Sequence, residues 1–463
     1  MHQTKFALAV LAAAVLAGCG GASGGDQTLK VKYTAQVSFG DSLSDVGSYA
    51  VAGVAAKGGG KFTINGDNTK INPELTGKNW TEHLAAQFGL AAPCAAETGL
   101  EGSIPSLQAP RVKHPGCFGY AMGGSRVTNP VGPNNKLAGG TLGALTVPVV
   151  TQIANHLAVS GGKFSGTEAV FVMAGGNDVL FLLGDLQAKA TAAGKTAGAT
   201  AGAQAFATNL TMALAAGATN PTTAAAAIGA AVKTASAAPG ATSTSITQAA
   251  IVAAAGEPRN DSISSPTVYG PLVAKAQADA TVTGNAAGAK AGADYAAANG
   301  PALVGAMKQA GTELVALVKD QIIAKGANYV IVNNLPDVAG TPSGLSKDAN
   351  TKALINAMVG AFNGELSGGL NGNAKVLLVD VFAVSHDQGV NPGPYGLTNV
   401  SETACDLSAP GNILGSSLVC NGTNLKAGDV SHYSYADDVH PTPFNNLLLA
   451  RYVAKDMVVR GWL

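Results

Sequence analysis

The chain has 463 residues, a formal net charge of zero at pH 7 and only 12% charged residues. This balance argues against the basic surface of a nucleic-acid-binding protein and against electrostatic attraction to an anionic membrane, so we expect no nucleic-acid partner. The 60 glycines and the low aromatic content of 5% indicate that part of the chain is of low complexity.

Residues 1–18 are predicted to be a signal peptide of the lipoprotein type. Lys5 precedes an apolar run at residues 6–16 that is too short to span a bilayer, and small residues follow directly before Cys19. This ending resembles the bacterial lipobox, which makes Cys19 the predicted lipidation site and residues 19–30 a flexible tether. The alternative is an ordinary cleaved signal peptide. We therefore predict an exported protein, held in the bacterial cell envelope (outer membrane or periplasm) by its lipid anchor alone, or else secreted.

A strand that ends on a serine is predicted next. Residues 31–39 alternate and carry β-branched and aromatic side chains, and Gly40 and Asp41 supply turn chemistry immediately before Ser42. Parallel α/β folds place their chemistry at such strand ends. The tripeptide alone also fits a plain turn in which Asp41 and Ser42 bond to the local backbone.

The four cysteines after Cys19 predict two disulfides, because an even number in an exported chain favours pairing. Three connectivities are possible. We favour Cys94–Cys117 and Cys405–Cys420, since each pair closes a short segment punctuated by proline and glycine. Neither pair has the CxxC spacing of a redox or zinc site, and we expect no metal and no cofactor.

Further strands and helices alternate along the rest of the chain. Apolar runs at 168–174, 328–333 and 375–382 predict strands that end on polar or glycine residues. Helical periodicity appears at 80–88 and in two later stretches, residues 303–322 and 354–362. This alternation predicts a parallel, doubly wound sheet, with residues 31–463 as one domain.

Residues 186–300 interrupt this pattern. They are dominated by alanine, glycine and threonine, so we predict an insertion of loosely packed helices or partly disordered chain on the substrate side of the fold. Gly194-Lys195-Thr196 does not complete a phosphate-binding loop, because Lys189 stands where its first glycine is required.

Asp437 and His440 are three residues apart near the carboxyl terminus. On a helical turn this spacing places a carboxylate where it can accept a hydrogen bond from the imidazole Nδ1–H while Nε2 takes a proton from a serine. Asp438 is expected to be a surface carboxylate, and an exchange of roles between Asp437 and Asp438 is the alternative. His432 could line the pocket.

Four motifs in this order resemble those of the GDSL-type esterases and lipases of the SGNH hydrolase superfamily. They are Gly-Asp-Ser-Leu-Ser-Asp at 40–45, Gly-Tyr-Ala-Met-Gly-Gly at 119–124, Gly-Gly-Asn-Asp at 175–178 and Asp-Asp-Val-His at 437–440. The similarity covers most of the chain apart from the signal and residues 186–300. The glycine motif departs from the family pattern, because Gly119 stands where close relatives usually have asparagine.

The resemblance implies a three-layer α/β/α, flavodoxin-like fold and an esterase that works without a cofactor. The implied roles are nucleophile for Ser42, base for His440, orienting carboxylate for Asp437, and an oxyanion hole made by the Ser42 N–H, the Gly124 N–H and the Asn177 side chain. Gly124 is preferred over Gly123 because it is the fifth residue after Gly119. An oxyanion needs several fixed donors, and these three would supply them.

We therefore expect a monomeric hydrolase that cleaves small-molecule or lipid carboxylic esters through an acyl-serine. Esters are favoured over amides because their leaving group departs more easily. A phospholipase, a lipid acyltransferase or a carbohydrate O-acetylesterase of the same superfamily remains an alternative. A lipid-anchored binding protein without catalysis is the alternative outside the enzymes.

Overall fold

The structure is a computed structural model that describes residues 30–463. The predicted signal, Cys19 and almost all of the tether lie outside this range. The chain divides into two compact units. The first contains the chain up to Asn177 together with Ala310–Lys352 and Phe362–Leu463, and the second contains Asp178–Gln309 with Ala353–Ala361.

The strands all belong to the first unit. In chain order they are β1 (Ala35–Gly40), β2 (Glu97–Leu100), β3 (Ala109–Lys113), β4 (Glu168–Met173), β5 (Tyr329–Asn333), β6 (Val376–Val379), β7 (Asn399–Thr403) and β8 (Tyr433–Tyr435). Strands β1, β4, β5 and β6 form a parallel sheet in that order. β2 pairs with β3 in an antiparallel hairpin, and β7 pairs with β8 in parallel.

A short extended segment continues the main sheet beyond β1. The Ser38 N–H donates to the Phe118 carbonyl oxygen at 3.1 Å, and the Tyr120 N–H donates to the Ser38 carbonyl oxygen at 2.8 Å. Across the sheet, the order is therefore residues 118–119, β1, β4, β5 and β6. When these five segments are numbered by their position along the chain, this order is 2-1-3-4-5, which is a doubly wound arrangement. The predicted α/β class with a parallel sheet is confirmed.

The α-helices are α1 (Ala52–Ala56), α2 (Trp80–Gln87), α3 (Val149–Val159), α4 (Gly176–Ala215), α5 (Pro221–Ala237), α6 (Ser243–Ala255), α7 (Pro266–Ala316), α8 (Pro342–Leu345), α9 (Ala349–Leu370), α10 (Val381–Val390) and α11 (Pro443–Arg460). A π-helix, Leu317–Ile323, continues α7. No helix within residues 30–463 combines the length and the hydropathy needed to cross a bilayer.

Helices cover both faces of the sheet. On one face Phe171 and Met173 of β4 pack into a core with Trp80 of α2 and Val453 of α11. Phe39 of β1 is paired with Val172, so its side chain points to the opposite face, where it meets the ring of His156 from α3. Because both faces are buried, β4 is a continuous apolar run rather than an alternating one.

The predicted strand at 375–382 is only half correct. β6 ends at Val379, and helix α10 begins directly after Asp380. The Asp380 side chain caps this helix by accepting a hydrogen bond from the Ala383 N–H. The apolar residues on either side of Asp380 therefore belong to two different elements, which their hydropathy alone does not separate.

His156 is a buried histidine without a polar partner. It is 3% exposed, and within the described chain neither ring nitrogen makes a hydrogen bond. Its ring lies against those of Phe39, Phe118, Tyr120 and Phe164. Burial lowers the pKa of His156 from 6.5 to about 4, against a smaller opposing effect of the Glu168 charge.

The buried His156 should make the folded protein less stable in acid. As the pH falls from about 6.5 toward about 4, the unfolded chain takes up a proton at this position that the folded chain does not. The free energy of unfolding should therefore decrease in that interval by up to about 3 kcal/mol through this group. His156→Leu should make urea unfolding at pH 7.5 and pH 4.5 more alike than in the wild type. His114→Gln serves as the control. If the pH dependence of unfolding in His156→Leu is the same as in this control, the acid sensitivity does not come from His156.

The second unit is helical and has its own core. Leu210 and Leu214 of α4 pack with Ile228 and Val232 of α5 and with Ile251 of α6. Residues 186–300 lie within this unit and are largely helical. Their composition predicts loose packing of these helices, but two of the helices pack closely.

Small residues explain how two helices with so few large apolar side chains can pack closely. Along α4, glycines recur every fourth residue and face glycines with the same spacing on α7. A Cβ on Gly198 would lie 2.8 Å from the Gly284 carbonyl oxygen, and one on Gly288 would lie 2.9 Å from that of Gly194. The two backbones thus approach closely without large side chains, which offsets part of the helix-destabilising effect of glycine.

Candidate active site

Ser42 follows the end of β1, where the backbone is held in an unusual conformation. Gly40 has φ +150°, and a Cβ at this position would lie only 2.0 Å from the Met173 carbonyl oxygen. The buried amide of Gln152 binds both polar groups of Gly40, accepting from its N–H at 2.8 Å and donating to its carbonyl oxygen at 2.7 Å. These contacts fix the chain two residues before the serine.

The turn after Gly40 also contains hydrogen bonds that Asp41 and Ser42 accept from the local backbone, as the plain-turn interpretation of this tripeptide predicts. The Leu43 N–H donates to Asp41 Oδ1 at 3.1 Å, and the Asp45 N–H donates to the Ser42 carbonyl oxygen at 3.4 Å. Asp41 thus supports the turn, as expected for an aspartate in this position. The Ser42 side chain is left to interact elsewhere.

Ser42, His440 and Asp437 form one chain of hydrogen bonds. His440 Nε2 lies 2.8 Å from Ser42 Oγ, and His440 Nδ1 lies 2.8 and 2.9 Å from the two Asp437 oxygens. These distances allow Nε2 to accept the serine proton while Nδ1–H remains bound to the carboxylate. The structure therefore brings the three predicted residues together, although they are up to 398 positions apart in sequence.

Asp437 is 5% exposed and is surrounded by hydrogen-bond donors. Its Oδ1 accepts the N–H groups of His440 and Val439, and its Oδ2 accepts the Ser417 N–H at 2.8 Å. Burial alone would raise the pKa of Asp437, but the charge and hydrogen bond of His440, together with the backbone donors, hold that pKa well below its usual range. The side chain is therefore a carboxylate at neutral pH.

The segment that joins Asp437 to His440 differs from the predicted helical turn. It is a bend after β8, closed by a hydrogen bond of 2.7 Å from the Ala436 N–H to the His440 carbonyl oxygen. The predicted contact is thus present, whereas the predicted backbone conformation is wrong. Asp438 is exposed, as expected for a surface carboxylate.

Both favoured disulfides are present in the structure, and each closes a segment that leads to the site. Cys94–Cys117 precedes the extended residues 118–119 beside β1. Cys405–Cys420 closes the loop that carries Ser417, whose N–H donates to the Asp437 carboxylate. We infer that these covalent links restrict the loops that supply two parts of the site.

The proposed oxyanion donors come from three separate segments. Gly124 has φ +78°, a conformation that favours glycine. The Asn177 amide donates one of its two hydrogens to the Ser125 carbonyl oxygen at 2.9 Å, which ties this side chain to the glycine loop. Within residues 30–463, the N–H groups of Ser42 and Gly124 have no acceptor in the protein, so both can donate to a bound oxygen.

Phe62 is a site residue that the sequence analysis did not identify. Its ring centroid lies 4.8 Å from that of His440, and a Cβ on Gly123 would lie 2.3 Å from its ring. The next residue, Thr63, donates its hydroxyl hydrogen to the Pro441 carbonyl oxygen at 2.9 Å. Phe62 therefore packs between the histidine and the glycine loop, in a Gly/Asn-rich segment that has no recognisable motif.

His432 does not take part in the triad. Its Nδ1 lies 2.7 Å from the Gly396 carbonyl oxygen, its Nε2 contacts Glu74, and its ring stacks on Phe444 at 4.1 Å. Nor does any group of three or more His, Cys, Asp and Glu side chains among residues 30–463 have an arrangement that could hold a metal ion.

Replacing Asn177 tests the oxyanion assignment without changing the nucleophile. Asn177→Ala removes a side-chain donor and should lower kcat for an ester substrate by about 10²- to 10³-fold with little change in KM, because the donor acts mainly on the oxyanion. Steady-state kinetics with p-nitrophenyl butyrate measure both constants. A rise in KM at constant kcat would instead make Asn177 a ground-state binding residue.

No protein-family model matches the chain, and no curated protein matches it in sequence. What the protein does must therefore be inferred from its own residues and their geometry. The main observation is a serine bound to a histidine that is bound to a buried carboxylate, with free N–H donors in the loops beside the serine.

Proposed function

We propose that this protein is a serine ester hydrolase with the three-layer, flavodoxin-like fold of the SGNH superfamily. The observation that carries the proposal is the hydrogen-bonded chain from Ser42 Oγ through the His440 ring to Asp437. Such a chain converts a weakly nucleophilic hydroxyl into one that can attack a carbonyl carbon.

The position of the donors supports the same proposal. Ser42 follows β1, Gly124 follows the extended residues 118–119, and Asn177 follows β4. These three strands are adjacent and parallel, so their carboxyl ends lie at one edge of the sheet, where α/β proteins bind their ligands. Three donors at one edge suit the oxygen of a tetrahedral intermediate.

The reaction would proceed in two halves. In the first, His440 Nε2 accepts the Ser42 proton as Oγ bonds to the ester carbonyl carbon, and the resulting oxyanion is stabilised by the three donors. His440 then gives the proton to the alkoxide oxygen as the carbon–oxygen bond breaks, which releases the alcohol and leaves an acyl-serine. In the second, His440 takes a proton from water as the water oxygen bonds to the acyl carbon, and it returns that proton to Ser42 Oγ as the acyl–serine bond breaks and the acid departs.

A series of p-nitrophenyl esters from acetate to palmitate tests the proposed function. We expect turnover with a preference for short chains, which would favour a small-acyl esterase over a lipase or phospholipase. A fluorophosphonate probe applied to the same protein reports the reactive serine independently of acyl preference. Absence of both turnover and labelling would leave a binding protein without catalysis.

We also propose that the protein is exported and anchored through Cys19, which lies outside the described residues. Mass spectrometry of the mature amino terminus, purified from a bacterial host that processes lipoproteins, should find an acylated Cys19. A free α-amino group at any other residue would make the protein a secreted one, released by an ordinary signal peptidase.

A further inference from the structure

Gly123, the residue before the proposed oxyanion donor, is held on both sides by the buried side chains of Tyr49 and Asp45. The Tyr49 hydroxyl donates to the Gly123 carbonyl oxygen at 2.6 Å. The Gly123 N–H donates to Asp45 Oδ2 at 2.9 Å. Tyr49 is 0% exposed and Asp45 is 1% exposed, so neither hydrogen bond competes with bulk water.

The Tyr49 hydrogen bond fixes the orientation of the peptide unit that carries the Gly124 N–H. No peptide bond in the described chain is cis, so the Gly123 carbonyl and the Gly124 N–H point in opposite directions from one planar unit. A donor fixed on the carbonyl oxygen therefore sets the direction of the N–H on the other side. The same hydrogen bond polarises the peptide and strengthens that N–H as a donor.

Two consecutive glycines need such external support, because their own conformational preferences are weak. Gly124 is in the left-handed region, and Gly123 packs so closely that a Cβ would lie 2.3 Å from Phe62 and 2.8 Å from the Tyr49 ring. The loop is thus positioned by its surroundings.

Asp45 links this loop to the turn that carries the nucleophile. Its Oδ1 accepts the N–H groups of Gly47 and Ser48 at 2.8 and 2.7 Å, and its Oδ2 accepts the Ser48 hydroxyl in addition to the Gly123 N–H. Burial raises the pKa of Asp45, and the hydrogen bonds counteract part of that rise. An amide in its place could not accept at both oxygen positions.

We propose that Tyr49 and Asp45 are positioning residues that present the Gly124 N–H to the developing oxyanion. This inference rests on the proposed function, in which Gly124 is an oxyanion donor. Neither residue touches the reacting atoms. Their effect should therefore appear in transition-state stabilisation and not in substrate binding.

Tyr49→Phe tests this role, with Tyr33→Phe as the matched control. Tyr33 is also buried and also donates its hydroxyl hydrogen to a backbone carbonyl, that of Trp462 at 2.7 Å, but in the core formed with α2 and α11. We expect Tyr49→Phe to lower kcat for p-nitrophenyl butyrate about 10- to 100-fold with KM within about twofold, because one oxyanion donor is misaligned. Its affinity for an alkylboronic acid, which forms a tetrahedral adduct with the serine, should fall by a similar factor. Tyr33→Phe should leave all three quantities unchanged.

The outcomes separate the inference from the proposed function. An active wild type in which Tyr49→Phe behaves like Tyr33→Phe would overturn the positioning role alone. A wild type that hydrolyses no ester would overturn the proposed function and this inference with it. If Tyr49→Phe does not fold, Asp45→Asn should give the same loss of kcat at constant KM, and an unchanged kcat in that variant would overturn the inference.

Discussion

Replacing Ser42 with alanine is expected to lower kcat for p-nitrophenyl butyrate by about 10⁴-fold or more, because no covalent intermediate can form without its Oγ. The structure places that oxygen 2.8 Å from His440 Nε2. Residual turnover would come from the oxyanion donors and from substrate binding. Stopped assays with high enzyme concentrations can measure a rate of that size.

Ser44 offers a matched control in the same turn. It is 1% exposed, and its hydroxyl has no hydrogen-bond partner among the described residues. Ser44→Ala should therefore keep nearly all activity, even if its stability changes slightly. Equal losses in Ser42→Ala and Ser44→Ala would mean that the turn, and not the Ser42 hydroxyl, is what the activity needs.

Replacing Asp437 with asparagine is expected to lower kcat by about 10³- to 10⁴-fold, because an amide cannot stabilise the imidazolium and favours the wrong imidazole tautomer. The Asp437 carboxylate accepts hydrogen bonds from His440 Nδ1 and from the backbone N–H of Val439, His440 and Ser417. An asparagine has only one acceptor oxygen, so at least one buried donor would also lose its partner.

Asp438→Asn is the control for this substitution and decides between the two assignments that the sequence left open. Asp438 is exposed, and the structure places Asp437 in contact with His440. We expect Asp438→Asn to retain activity within about threefold, as is usual for a surface charge. A larger loss in Asp438→Asn than in Asp437→Asn would exchange their roles.

The parts of this site that the sequence predicted are those coded by short local patterns. A serine after an apolar run and a glycine, and an aspartate three residues before a histidine, can each be recognised within a few residues. The strand ends at Gly40 and Met173 follow from hydropathy and from the glycines next to them. The parallel sheet follows from the alternation of strands and helices.

The parts that the sequence did not predict depend on contacts between distant residues of ordinary type. Gln152 binds Gly40 across 112 positions, and the amide of a glutamine on an apolar helix has no pattern that identifies its partner. Tyr49 reaches Gly123 across 74 positions. The close packing of α4 on α7 required pairing two glycine series that are about 90 residues apart, which composition alone does not suggest.

Covalent capture of the nucleophile tests the central claim most directly. The mature protein is incubated with a small fluorophosphonate until ester hydrolysis stops, and the digested peptides are then analysed by mass spectrometry. Attack by a serine oxygen on phosphorus displaces fluoride and leaves a stable phosphonyl ester. We predict one adduct per chain, on Ser42, formed in proportion to the activity lost. An adduct on another serine, or complete inactivation with Ser42 unmodified, would contradict the account.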